Sequence, residues 1–136
     1  MNEYLRVLVV HRQNSVANDI KAQFERAGWL VHSAQNGLDG LLAARKGNYS
    51  LILSAIDLPV ITGIEMIRGI RNFSFNVNTP VVFMDAMPDT HYHPIFEKLK
   101  ANLHQGSLHN LSDLIKTHGR THQDFMRIDP QADQLN

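Results

Sequence analysis

The run Leu51-Ile52-Leu53-Ser54-Ala55-Ile56-Asp57-Leu58-Pro59, followed by Thr62-Gly63, constrains this chain more than any other stretch. Three apolar residues, Leu51 to Leu53, lie between Asn48-Tyr49-Ser50 and Pro59. A short apolar run of this kind reads as a strand buried on both faces, as in a parallel sheet. Pro59 has no N–H to give to a ladder, so the strand ends before it. Gly63 allows a tight turn, and Ile64, Ile67 and Ile70 then recur at helical spacing. The result is strand, loop and helix, with the loop at the strand's carboxyl end. In open α/β sheets that edge is where sites are built, so small-ligand chemistry is expected near Ala55.

The same alternation recurs along the chain. Leu5 to Val10 reads as a first, central strand. His11-Arg12-Gln13-Asn14 is a polar loop, and Asn14 or Ser15 is placed to cap a helix. Val16, Ile20, Phe24 and Ala27 follow at helical spacing, and Gly28 stops that helix. Trp29 to Ser33 is a second strand. Asn36-Gly37 then turns the chain into a helix carrying Leu38, Leu41 and Leu42, which ends near Gly47. Asn72 to Asn78 is a polar and aromatic loop, Val81 to Met84 a fourth buried strand, and Asp85 to Asp89 the next loop. Ile95, Phe96, Leu99 and Leu103 supply one face of a further helix. The fifth strand has only Asn102-Leu103-His104-Gln105 to draw on and is expected to be weak. Leu108, Leu111, Leu114 and Ile115 mark a last helix, which ends at Gly119 or runs on to Phe125 and Met126.

Five alternations of strand and helix predict an α/β three-layer sandwich with right-handed crossovers. The flavodoxin-like order 2-1-3-4-5, a five-stranded parallel sheet, suits the length and the number of units. At 136 residues the chain has room for one ordinary domain, expected over 1–124, with 125–136 as a polar tail or linker. Thirteen basic residues balance thirteen acidic ones, so there is no global attraction to nucleic acid or anionic membrane. No cysteine is present, which removes disulfides, thiolate zinc sites and thiol nucleophiles together. No apolar run approaches the length of about 18 residues that spans a bilayer. The first apolar run is only strand-length and does not read as a signal peptide, which suits a cytoplasmic protein.

Several of these patterns agree in order and spacing with one family. Leu8-Val9-Val10 before a polar loop, Ala34-Gln35-Asn36-Gly37, Leu51 to Leu53 with Pro59 and Gly63, and Thr79-Pro80-Val81-Val82-Phe83 before Ala86 resemble the receiver domain of bacterial response regulators. The resemblance runs from about Leu5 to Ile115 and implies a CheY-like fold. It also implies a chemistry: phosphoryl transfer from a histidine kinase to an aspartate at the end of strand three. In the family an acidic pair after strand one helps to hold Mg²⁺, a Thr or Ser follows strand four, and a Lys follows strand five. The carboxylates bind the cation, and the cation with the Lys neutralises the transferred group.

Carried over position by position, the acceptor falls on Ala55 and the acidic pair on His11 and Arg12. The Thr or Ser position falls on Asp85. The Lys position falls on Gln105, followed by Gly106 where the family usually has Pro. The resemblance therefore implies a degenerate receiver, a pseudo-receiver without the phospho-acceptor. Ser54 should face away from the pocket by strand alternation, and Asp57 reads as a solvated loop residue. His11, Arg12 and Asp85 form a candidate internal lock, in which a carboxylate facing Arg12 replaces the charge pairing of a phosphoryl group.

Six of the eight histidines fall between His91 and His122. His118 and His122, four apart, offer only two metal ligands on one helix, and no third is evident. No cofactor is expected. Gly-x-Ser-x-Gly, P-loop and Gly-x-Gly-x-x-Gly motifs are all missing, which argues against an enzyme. Two functional classes remain open. One is a phosphorylation-independent signalling module acting through protein partners or self-association at the face of helix four, strand five and helix five. His91, Tyr92, His93, Phe96 and Leu99 are its candidate contacts. The other is a sensor whose altered pocket binds a small ligand or metal ion.

Overall fold

The computed structural model describes residues 4–84 and 93–119. Its elements in chain order are β1 (Arg6–Val10), α1 (Asn14–Arg26), β2 (Leu30–Ala34), α2 (Gly37–Lys46), β3 (Leu51–Ala55), α3 (Gly63–Phe73), β4 (Val81–Met84), α4 (His93–Leu99) and β5 (Ala101–Leu103). A further helix, α5, covers 112–119. The strands form one five-stranded sheet in the order β2-β1-β3-β4-β5, every pair parallel. This is the expected flavodoxin-like, CheY-like sandwich. The fifth strand is indeed short, three residues beginning at Ala101.

Strand alternation feeds two apolar layers. Val7, Val9, Leu51, Leu53, Val82 and Met84 meet Ala17, Ile20 and Phe24 of α1, with Leu111, Leu114 and Ile115. Leu8, Val10, Ile52, Val81 and Phe83 meet α2, α3 and α4 through Ala44, Met66, Ile67, Ile70, Phe96 and Leu99. All five residues of β3 are buried, as a central parallel strand requires.

Helix ends follow local chemistry. α1 stops as expected at Gly28 (φ +91°), where the Gly28 N–H donates to the Glu25 carbonyl and the Trp29 N–H to the Phe24 carbonyl. The Phe24 and Trp29 rings meet edge to face at 5.0 Å, the apolar contact that accompanies such a stop. α3 begins with a reciprocal cap. The Glu65 N–H donates to Thr62 Oγ1 at 3.1 Å and the Thr62 N–H to Glu65 Oε1 at 2.9 Å.

Several expectations need correction. Neither Asn14 nor Ser15 caps α1: the N-cap is Gln13, without a side-chain bond, and Asn14 Oδ1 accepts from Gln35 Nε2. Leu38 and Leu42 do not form the inner face of α2 and stay exposed. Gly37, Gly40 and Ala44 face inward instead, because a Cβ at Gly40 would run into Met66 and Val10. Leu108 and Leu111 precede the last helix, and Leu103 lies in β5 rather than on α4.

The loop read only as polar and aromatic holds a structural centre. Asn76 is fully buried. Its Oδ1 accepts from the Tyr49 N–H at 2.8 Å, and its Nδ2 donates to the carbonyls of Ala44 (2.7 Å) and Gly47 (2.8 Å). It thereby ties α2 to the approach of β3. Beside it the Arg71 guanidinium donates to five carbonyls, those of Asn76, Val77, Thr79, Leu99 and Lys100. These bonds join the end of α3 to the turn between α4 and β5. Burial pushes the Arg71 pKa below its usual value.

Candidate functional site

The expected pocket lies where β1, β3 and β4 end together. Val10 pairs with Ser54, Ser54 with Phe83, and Ala55 with Met84. Ala55 is the last residue of β3, and its methyl group is buried. Ser54 is fully buried, and its Oγ donates to the Ala55 carbonyl at 2.8 Å. That hydroxyl is committed to the backbone and closed to solvent.

The loop after β3 is anchored at both ends. The Gly63 N–H donates to the Ile56 carbonyl at 2.8 Å, and the Gly37 N–H to the Pro59 carbonyl at 3.2 Å. A Cβ on Gly63 would strike the Ala55 carbonyl, so the start of α3 can approach the end of β3 only as glycine. Leu58 is buried beneath the loop, and exposed Val60 takes the left-handed conformation at φ +74°.

His11 and Arg12 leave β1 in different directions. His11 is buried. Its N–H donates to the Ala34 carbonyl, and its Nδ1 accepts from the Gln13 N–H at 3.0 Å. Acceptance at Nδ1 puts the proton of a neutral ring on Nε2. The ring thus helps to form the turn into α1. Arg12 is half exposed, and its Nη1 lies 3.2 Å from Asp57 Oδ2. This corrects one expectation. Asp57 is exposed but not solely solvated, because it pairs with Arg12. Strand order gives the reason for this pair: β1 and β3 are neighbours. Asp85 itself lies outside the described residues.

Gln105 is exposed on the loop after β5 and makes no hydrogen bond to the other described pocket positions. Among the described residues no three His, Asp or Glu side chains converge as a metal cluster would. Asp57 is the one carboxylate on the described loops at this edge of the sheet, and Arg12 is already on it.

The expected contact surface is only partly described. His91, Tyr92 and the His93 side chain lie outside the described residues, as do His122 and the 124/125 boundary. Phe96 and Leu99 are each 6% exposed, so they are core residues and not an exposed contact patch. Phe96 stacks on Phe83 with ring centroids 5.2 Å apart. His118 is half-buried on α5, and burial lowers its pKa. No described helix is long and apolar enough to cross a membrane.

A doubly wound parallel sheet with its loops gathered around the end of β3 defines a receiver-type domain. The family model described as "Response regulator receiver domain" matches residues 7–126, and the chain belongs to that family. It is thus a receiver domain of two-component signalling, a class that meets kinases or effector partners. The chain is 34% identical over 86 residues, 61% of its length, to the uncharacterized transcriptional regulatory protein YkoG of Bacillus subtilis, covering 37% of that protein. It is 33% identical over 87 residues, 64% of its length, to the transcriptional regulatory protein DltR of Streptococcus agalactiae, covering 38% of it. The chain therefore spans a little over a third of the length of these curated relatives. Among solved structures, the chemotaxis protein CheY4 of Vibrio cholerae superposes with a TM-score of 0.77 at 24% identity, covering 87% of this chain and 98% of that one. At that identity the likeness speaks for the fold alone.

Proposed function

We propose that this receiver works without phosphorylation, as a non-catalytic signalling module that acts by binding protein partners or a second copy of itself. The observation that carries the reading is Ala55, a buried methyl at the end of β3. Transfer from a histidine kinase needs a carboxylate nucleophile there, and a methyl group has none. Ser54 does not stand in, because its hydroxyl is buried and bonded to a backbone carbonyl.

The described side chains do not suit Mg²⁺ either. That ion asks for octahedral oxygen ligands and is commonly held by one or two carboxylates and several waters. Here the described loops offer Asp57 alone, with the Arg12 guanidinium 3.2 Å away. An exposed cation–carboxylate pair stands where the family assembles metal and phosphoryl group. The same pair weighs against the sensor reading, since a small anion would have to compete with Asp57 for Arg12. Partners are assigned to the face of α4, β5 and α5, and the balanced charge argues against nucleic acid.

The test is phosphotransfer. The chain is incubated with Mg²⁺ and acetyl phosphate beside an ordinary receiver, and intact masses are compared. The reading expects a phosphoryl adduct on the control and none here. An adduct mapped to Asp57 or Ser54 would overturn it.

A further inference from the structure

A second concavity lies away from the strand ends, between α3 and α4. It encloses about 440 Å³ and is lined by Arg68, Arg71 and Asn72 of α3 and by Pro94, Ile95, Lys98 and Leu99 of α4. Three of these seven side chains are aliphatic, three are cationic and one is an amide, and no described carboxylate lines the groove.

The cations differ in what they already do. Arg71 spends its guanidinium N–H groups on five backbone carbonyls. Those bonds satisfy its donors, yet no described carboxylate matches its charge. Arg68 and Lys98 are exposed, and among the described residues neither side chain makes a hydrogen bond or ion pair. Three like charges thus face one small groove with no anion among the described residues that line it. A carboxylate that enters the groove is attracted by all three. The aliphatic wall of Pro94, Ile95 and Leu99 adds a second requirement, because a bare inorganic anion gains nothing from it. A peptide that places an acidic side chain beside an aliphatic one satisfies both. Arginine forks suit such carboxylates, and a groove of this volume holds a few side chains rather than a whole domain face.

We propose that the α3–α4 groove is a docking site for an acidic, partly aliphatic segment of a protein partner, with Arg68 and Lys98 as its carboxylate receptors. The proposal rests on the reading of the chain as an interaction module and gives the partner a chemistry. It also adds a contact site next to the α4, β5 and α5 face, on the α3 side of α4.

The experiment is an amide NMR titration of the whole chain with a blocked Glu-Glu-Leu-Leu-Glu-Glu peptide. Controls are the Lys-Lys-Leu-Leu-Lys-Lys counterpart and inorganic phosphate. The expected result is saturable shifts confined to residues 66–72 and 94–100, weakened by added salt and at least about tenfold weaker in Arg68→Glu/Lys98→Glu. Both positions are exposed, so the variant's dispersed spectrum serves as its folding control, and Arg68→Gln/Lys98→Gln is expected to give an intermediate loss. Four results would overturn the groove: no saturable shifts there, equal binding by the charge-reversed variant, equal binding of the basic peptide, or phosphate alone reproducing the same shifts and affinity. Shifts on another face would leave the interaction module standing and remove the groove alone. A phosphoryl adduct in the acetyl phosphate experiment would remove the module reading and leave the groove result unchanged.

Discussion

Arg12 and Asp57 stand 45 residues apart in sequence and 3.2 Å apart in space, joining the loop after β1 to the loop after β3. Their side chains are 49% and 87% exposed. Water and salt screen such a pair, so its worth is below about 1 kcal/mol. A double-mutant cycle with Arg12→Ala and Asp57→Ala should give a coupling energy in that range, falling as salt is raised. A coupling of several kcal/mol would mean that the pair is buried in solution. The pair's consequence is therefore local: it fixes which charges occupy the mouth of the pocket, not whether the chain folds.

Val60 carries backbone strain at an exposed position. It is β-branched, has a positive φ of 74° and is 70% exposed. Left-handed backbone costs a non-glycine residue about 1–2 kcal/mol, and glycine gives part of that gain back through its freer unfolded chain. Val60→Gly and Val60→Asn should each raise stability by about 1 kcal/mol, read as a higher denaturation midpoint with an unchanged slope. A lower midpoint for both would refute the strain.

Asn76 is the opposite case, a buried polar side chain with every partner in place. Asn76→Ala leaves the Tyr49 N–H and the Ala44 and Gly47 carbonyls without their bonds. Each buried orphan costs about 1–3 kcal/mol, partly relieved where water enters. A loss of about 3 kcal/mol is expected in urea unfolding, and a loss below about 1 kcal/mol would show that the network is dispensable.

His118 gives the chain a pH signature. Burial lowers its pKa in the folded state below the unfolded value of 6.5. The unfolded chain therefore binds the proton first as pH falls, and stability drops from near that value down to the folded pKa. Above that window the difference vanishes. His118→Gln should flatten the slope of stability against pH below 6.5 and leave it unchanged at higher pH. An unaltered slope would assign the titration elsewhere.

Legibility in the sequence followed buried apolar pattern. The Leu51 to Leu53 run, the Gly28 stop and the Val81 to Met84 strand were readable because burial on both faces leaves only a few residue types acceptable. α2 misled because its buried positions are Gly37, Gly40 and Ala44, so of the visible leucines only Leu41 packs on the core while Leu38 and Leu42 stay exposed. Asn76 and Arg71 gave no sequence signal, since their partners are backbone groups that any residue supplies. At the site, positions were legible but pairings were not. Asp57 follows β3, and the order 2-1-3-4-5 already sets β1 beside β3, so Arg12 with Asp57 could have been inferred. Periodicity does not say where a loop side chain turns.

The central claim is that the pocket around Ala55 neither takes a phosphoryl group nor holds the cation that would deliver charge to it. Amide NMR on the whole chain, titrated with Mg²⁺ and then with Mg²⁺ plus beryllofluoride, a mimic of the phosphoryl group, tests this directly. The account predicts no saturable shift at Ala55, Ile56, Asp57 or the loop to Gly63 in either step. Saturable shifts there on adding Mg²⁺, or on adding beryllofluoride to it, would contradict the account and return the pocket to ligand binding.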